Sequence, residues 1–289
     1  PMQRICHALT TRFPNLKITG LCHEIKSMDR QLPSLMETDL SNIDFEAGGL
    51  NHFSILLHAK YKDSGKDGYP IIKQKFQDYF SELVNDHEGF YSKPGAERGV
   101  FFELYKQYGY LPITTDSHLG EYLAWAYSVA DHDGILDFYD NYKKRCLTYY
   151  DNDSYHHFFD MNNPEPHERI IPIIENIVTD ANALEHAVNI PNDGFIECLP
   201  KDIVVEVPAM INKSGIHGKK LENYPKAFGT LLNSQVGAIQ MTTEAVLSKS
   251  KQNAFYALLA DPVVDNAKSA ASLLDTMIDS QKDFLGYLQ

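Results

Sequence analysis

Cysteine is scarce in this sequence. Cys6, Cys22, Cys146 and Cys198 are scattered over 289 residues with no CxxC pair, which excludes a disulfide framework. Reduced thiols point to a cytoplasmic protein. No basic segment followed by an apolar one opens the chain, so no secretion signal is expected. No apolar run approaches the ~18 residues of a membrane span. Positive charge is also short: 26 Lys and Arg face 39 Asp and Glu, a net charge of −13. Such a surface repels phosphate backbones and argues against nucleic acid as a partner. Neither GxGxxG nor GxxxxGK[ST] occurs. Gly48-Gly49 and Gly89 do not replace them, because neither lies between a strand and a helix start. No internal repeat is evident.

What is present suits a globular chain: 43% of residues are apolar and 22% charged, ample for a core. Residues 4–13 have helical spacing and 16–21 read as a strand. Residues 24–40 return as helix, broken near Pro33. Residues 44–57 hold a glycine pair and then a strand, with His52 at its mouth. Helices follow over 71–85 and 97–108, with Gly109 as the residue closing the second. Residues 111–115 are extended, and 116–122 open another helical stretch. Residues 151–169, rich in Asp, Asn, His and Pro, form an irregular connection. A helix is expected over 170–187, strands over 195–199 and 203–211, and helices through 225–287. Long helices with few strands predict an α+β fold with a mixed or antiparallel sheet.

Two segments carry the chemistry. Gly20-Leu21-Cys22-His23 and Gly49-Leu50-Asn51-His52 set a thiol and an imidazole 30 residues apart. If the two ends meet, they make half of a metal site, or else two unrelated half-buried residues. These ligand types by themselves lean to zinc, with positions left open for substrate or water. His118 and Glu121, at i and i+3, share a helix face. Asp116 reads either as a functional carboxylate or as a helix N-cap. His156, His157 and His167 read as exposed imidazoles in a polar loop more readily than as a metal cluster.

Taken in order, these motifs resemble the C-terminal part of family 4 glycoside hydrolases over most of the chain. Pro1-Met2 looks like the end of the family's Asn-Pro-Met segment. Gly20 to His23 looks like its metal-binding cysteine motif, and Gly49 to His52 like its Gly-Ile/Leu-Asn-His motif. Residues 102–122 resemble its Tyr-Gly-Tyr segment followed by Asp/Glu-x-His-x-x-Glu-Tyr/Phe. Asn192-Asp193-Gly194-Phe195-Ile196 and Val204-Val205-Glu206-Val207-Pro208 resemble its hairpin.

The resemblance implies a lactate-dehydrogenase-like C-terminal domain and a redox route to glycoside hydrolysis, an exception to the two-carboxylate scheme. NAD+ takes hydride from carbon 3, a base removes the carbon 2 proton, and the aglycone leaves. Water then adds and the hydride returns. A divalent cation, usually manganese, steadies the oxygens on carbons 2 and 3. Carried over, Cys22 and His52 are the metal ligands, and Asn51, His118, Glu121 and Arg98 bind substrate. Asp116 is the base, with Tyr108, Tyr110 or Tyr122 as alternatives, and His23 is a catalytic neighbour. Arg98 reads as a fork for a sugar carboxylate or as a surface charge. His23, where members acting on 6-phosphorylated sugars tend to carry Asp or Asn, suggests an unphosphorylated α-glycoside: a glucoside, galactoside, glucuronide or galacturonide, with a slight lean to uronides. Residues 1–289 thus read as a metal- and substrate-binding C-terminal domain. The family's N-terminal NAD-binding domain is absent, and the chain is expected to be inactive alone. Residues 225–287 are candidates for subunit contacts in a homodimer or homotetramer. The alternatives are a 2-hydroxy-acid dehydrogenase-like oxidoreductase and a non-catalytic oligomerising domain.

Overall fold

The computed structural model describes residues 2–83, 91–151 and 169–289. The stretches 84–90 and 152–168, the second holding His156, His157 and His167, lie outside the described residues. Five strands form one antiparallel sheet: β1 (Ile43–Leu50), β2 (Phe53–Tyr61), β3 (Ala183–Pro191), β4 (Val204–Asn212) and β5 (Gly215–Gly218). The order is β2-β1-β4-β3, with β5 pairing the far end of β4. Around the sheet lie α1 (Met2–Arg12), α2 (Met28–Met36), α3 (Tyr69–Glu82), α4 (Gly99–Tyr108), α5 (Asp116–Leu119), α6 (His132–Asp151) and α7 (Ile170–Thr179). The C-terminal helices are α8 (Lys226–Asn233), α9 (Val236–Ser248), α10 (Lys251–Ala260), α11 (Ala267–Ser280) and α12 (Lys282–Leu285). The α+β expectation is met.

The glycine pair has a packing role, not a turn role. Gly48 and Gly49 sit inside β1, where β1 meets β4 at the Gly49–Glu206 pairing. A Cβ on Gly48 would lie 2.7 Å from the Glu206 carbonyl oxygen, and one on Gly49 would lie 2.8 Å from Ser54 Cα. Only glycine lets the backbones come this close. The hairpin therefore turns at Asn51-His52, between the paired Leu50 and Phe53. His52 lies in that turn, at a φ of 64°, directly before the first residue of β2 and so at the strand's mouth as expected.

Several local expectations give way to tertiary forces. Residues 16–21 form no strand; Gly20 makes a single bridge to Asn189, with N–H to O distances of 3.1 and 2.9 Å. Side chains of α1 crowd this point, and a Cβ on Gly20 would collide with Met2 and Cys6. Helix α2 runs through Pro33. Met28, Leu32, Leu35 and Met36 are all buried, and burial of about 1.5–3 kcal/mol per large apolar side chain outweighs one missing hydrogen bond. The helix expected over 170–187 stops at Thr179 because Asp180 and Asn182 adopt φ of 57° and 51°, a conformation that Asp and Asn tolerate best among non-glycine residues. Strand β3 follows. Residues 195–199 are not a strand. Asn192 captures that backbone, donating to the carbonyls of Ile196, Leu199 and Pro200 and accepting from Ile196 N–H. A side chain that takes backbone groups in this way displaces the ladder.

Aromatic packing ties α3 to α4. Phe76 stacks on Phe101 at 5.4 Å and Phe80 meets Phe101 at 4.8 Å. This platform lies beneath the segment that delivers Arg98 and Asp116. Among the described residues no helix is long and apolar enough to cross a membrane.

Candidate active site

The β1–β2 turn is held from two sides. Thr114 Oγ1 donates to the His52 carbonyl at 2.9 Å, and Tyr122 Oη donates to the Asn51 carbonyl at 2.7 Å. Tyr122 in turn stacks on Phe53 at 4.8 Å. These contacts offset the roughly 1–2 kcal/mol cost of a left-handed non-glycine residue. They leave the His52 ring against that of His118, with centroids 4.2 Å apart and planes tilted by 48°. Burial, and then the His118 charge, push the His52 pKa down to about 3. The ring is therefore neutral and ligand-competent at physiological pH.

His118 and Glu121 come from α5 and the tight turn that extends it, where Glu121 N–H donates to His118 O at 3.1 Å. Donor atoms of His52, His118 and Glu121 all lie within 4.8 Å of one another. His118 Nε2 is 3.8 Å from Glu24 Oε1, as is His23 Nε2. His118 Nδ1 is buried with no hydrogen-bond partner.

Cys22 is not one of that mutually close group. Its thiol lies beside the Asn51 side chain and the Glu24 backbone, and burial, then the Glu206 charge, raise its pKa to about 12. Asn51 is itself buried, and its amide donates to Glu206 Oε1 at 3.3 Å. The two segments noted in sequence therefore meet at the Asn51 side chain, which lies against the Cys22 thiol. The His52 and His118 imidazoles with the Glu121 carboxylate are a donor set suited to a divalent cation, with the Cys22 thiol beside Asn51, and the orphaned His118 nitrogen fits one.

Two acids were missed as site residues. Glu206, on β4, is fully buried and also accepts from Ser54 Oγ at 2.9 Å and Asn189 Nδ2 at 3.1 Å. Desolvation lifts its pKa to about 7 against those hydrogen bonds. The signal was present: one acid among Val204, Val205 and Val207 stands at a core position. Glu24, directly after His23, had no such mark and is found only through its contacts.

Asp116 requires a correction. It is 1% exposed, and its oxygens accept from Phe101 N–H at 3.0 Å and Asp131 N–H at 2.9 Å. A carboxylate held by two backbone amides anchors the start of α4, which makes it first a structural group. Of the tyrosine alternatives, Tyr122 has its hydroxyl engaged by the Asn51 carbonyl, while Tyr108 packs edge-on to Phe228 and Tyr110 edge-on to Tyr69. The His23 side chain is 53% exposed and lies 3.8 Å from Glu24 Oε1. Arg98 is not a surface charge. It is 3% exposed, its guanidinium lies 4.4 Å from the Phe101 centroid and 5.1 Å from that of Phe80, and Nε has no partner. A cleft of about 250 Å³ borders Cys22 and His23, and Lys26, Arg169, Glu185 and His186 line its other side. Arg169 grips Glu185 with two hydrogen bonds, of 2.6 and 2.8 Å.

Comparison with known proteins gives the family. Residues 47–264 match the family 4 glycosyl hydrolase C-terminal domain. The chain belongs to glycosyl hydrolase family 4. Among its relatives, an α-glucosidase of Erwinia rhapontici is 40% identical over the whole chain and 67% of that protein's length. An α-galactosidase of Bacillus subtilis is 26% identical over 99% of the chain and 65% of its own length. An α-galacturonidase of Thermoanaerobacterium saccharolyticum is 26% identical, with the same coverages. The chain thus spans about two thirds of the length of these relatives. The fold is shared with lplD of Bacillus subtilis, at a TM-score of 0.75 and 23% identity over 96% of this chain and 66% of that one. It is shared also with a 6-phospho-α-glucosidase of gut microorganisms solved with NAD and Mn2+, at a TM-score of 0.71 and 21% identity over 98% and 65%.

Proposed function

We propose that residues 1–289 are the metal- and substrate-binding part of a glycosidase that hydrolyses an unphosphorylated α-glycoside with the help of NAD and a divalent cation. The observation that carries this reading is the meeting of the Cys22-His23 and Asn51-His52 segments beside the buried Glu206. The 40% identity to an α-glucosidase, against 26% to an α-galactosidase and an α-galacturonidase, ranks a glucoside ahead of a galactoside or a uronide. This revises the lean to uronides.

When bound, NAD takes and returns the carbon 3 hydride, and the cation draws charge onto the sugar oxygens. Cys22 and His52 are assigned as cation ligands. Asn51, tethered to Glu206, is assigned to the sugar hydroxyls, with His118 and Glu121 serving the sugar beside His52. His23 is assigned ahead of Asp116 as the acceptor of the carbon 2 proton, being the more exposed of the two and lining the cleft. Arg98, a desolvated cation behind Glu24, adds positive potential to the sugar side. The sequence carries no dinucleotide turn, so we assign NAD to a separate unit, and the chain by itself hydrolyses no glycoside. A 2-hydroxy-acid oxidoreductase has no use for the Cys22–His52 pair.

The test is hydrolysis of an α-glucoside in D2O by the holoenzyme loaded with NAD+ and Mn2+. Deuterium at carbon 2 of the released sugar is expected, lost in His23→Ala and kept in Asp116→Asn. A product free of deuterium at carbon 2 refutes the elimination route.

A further inference from the structure

We propose that His118 and Glu121 serve the sugar as cation ligands in their own right. His52, His118 and Glu121 then form a two-imidazole, one-carboxylate face whose remaining coordination positions stay open for the sugar oxygens. This rests on the reading above that the site holds a divalent cation, and it widens the ligand set beyond Cys22 and His52.

Four observations carry it. The three donors lie within 4.8 Å of one another, and ligand atoms about 2 Å from one ion stand about 3–4 Å apart, so small side-chain rotations close the set. His118 is divided as a metal-bound histidine is. Nε2 faces the Glu24 carboxylate at 3.8 Å, while Nδ1 is buried with nothing to bond. A carboxylate near Nε2 favours the ring form in which Nδ1 keeps its lone pair, and no donor among the described residues takes that lone pair up. The Glu121 N–H to His118 O bond of 3.1 Å closes a tight, three-residue-per-turn step, which puts positions i and i+3 on one side. His52 is held in place by backbone contacts from Thr114 and Tyr122, so its ring waits opposite His118 without a partner element having to move. Two imidazoles and one carboxylate on one side of an ion suit a divalent transition cation with open positions.

The test uses Mn2+ alone, added to the 289-residue chain, with bound Mn2+ read by electron spin echo envelope modulation. Two coupled imidazole nitrogens are expected. His118→Phe leaves one, and His23→Ala keeps both. Glu121→Gln keeps both nitrogens and weakens Mn2+ binding by roughly tenfold or more. A single nitrogen in the unsubstituted chain overturns this inference alone. Two nitrogens persisting in His118→Phe, or one lost in His23→Ala, also overturn it. Failure of the chain to bind Mn2+ at all overturns it together with the cation of the proposed function. The nitrogen count of the unsubstituted chain needs no variant to fold.

Discussion

Glu206→Gln isolates the energetic cost of the buried acid at the centre of the site. The carboxyl is fully buried, and its pKa rises from the ordinary 4.5 to about 7. In the unfolded chain it ionises near 4.5; in the folded chain it holds its proton to about 7. The native state therefore binds more protons across that window, and stability falls as pH rises through it. The difference, 7 − 4.5, is about 2.5 units, or about 3 kcal/mol at 1.36 kcal/mol per unit. Glutamine has the same shape and no charge to bury. It gives back part of that gain through weaker hydrogen bonds to Asn51, Ser54 and Asn189, at about 1 kcal/mol each. The expected outcome is a stability difference, variant minus parent, that grows by about 3 kcal/mol between pH 4.5 and pH 8. Urea denaturation across that range measures it, and normalising to the variant cancels every other titrating group. A difference that is flat with pH, or that shrinks as pH rises, refutes the argument.

Arg169→Ala leaves the buried Glu185 carboxylate without its two-bond partner and is expected to cost about 3–5 kcal/mol in chemical denaturation. Asp116→Ala strands the Phe101 and Asp131 amides. The expected loss is about 1–3 kcal/mol for each buried donor left unpaired, and a variant as stable as the parent contradicts the anchoring role. The Cys22 thiol, with its pKa pushed up to about 12, is protonated at pH 8, so its ligation of Mn2+ must release a proton. Calorimetry in two buffers of different ionisation heat should show about one proton released per ion, and none in Cys22→Ser; equal release in both removes Cys22 from the ligand set.

Legibility from sequence followed the range of the forces involved. Helix α4 and its Gly109 stop were readable because both rest on neighbours in the chain, apolar spacing and a left-handed glycine. The 170–187 stretch misled because Leu184 continues the helical spacing of α7, while the stop depends on Asp180, which accepts from Lys213 N–H across the fold at 3.2 Å. The apolar face of α7 shows the same limit: Ile171, Ile174 and Val178 are 58%, 51% and 77% exposed. Periodicity finds an apolar stripe but not what covers it.

The sequence by itself determined the family, the α+β class and the two segments that carry Cys22 and His52, because motif order and apolar spacing are properties of the chain alone. Only the tertiary structure decided what each residue does there. It set Glu206 against Asn51, bound Asp116 to two backbone amides, and faced His118 to His52 across 4.2 Å. Burial and hydrogen-bond partners set a carboxylate's or an imidazole's chemistry, and both come from residues distant in the chain that meet only when the sheet closes.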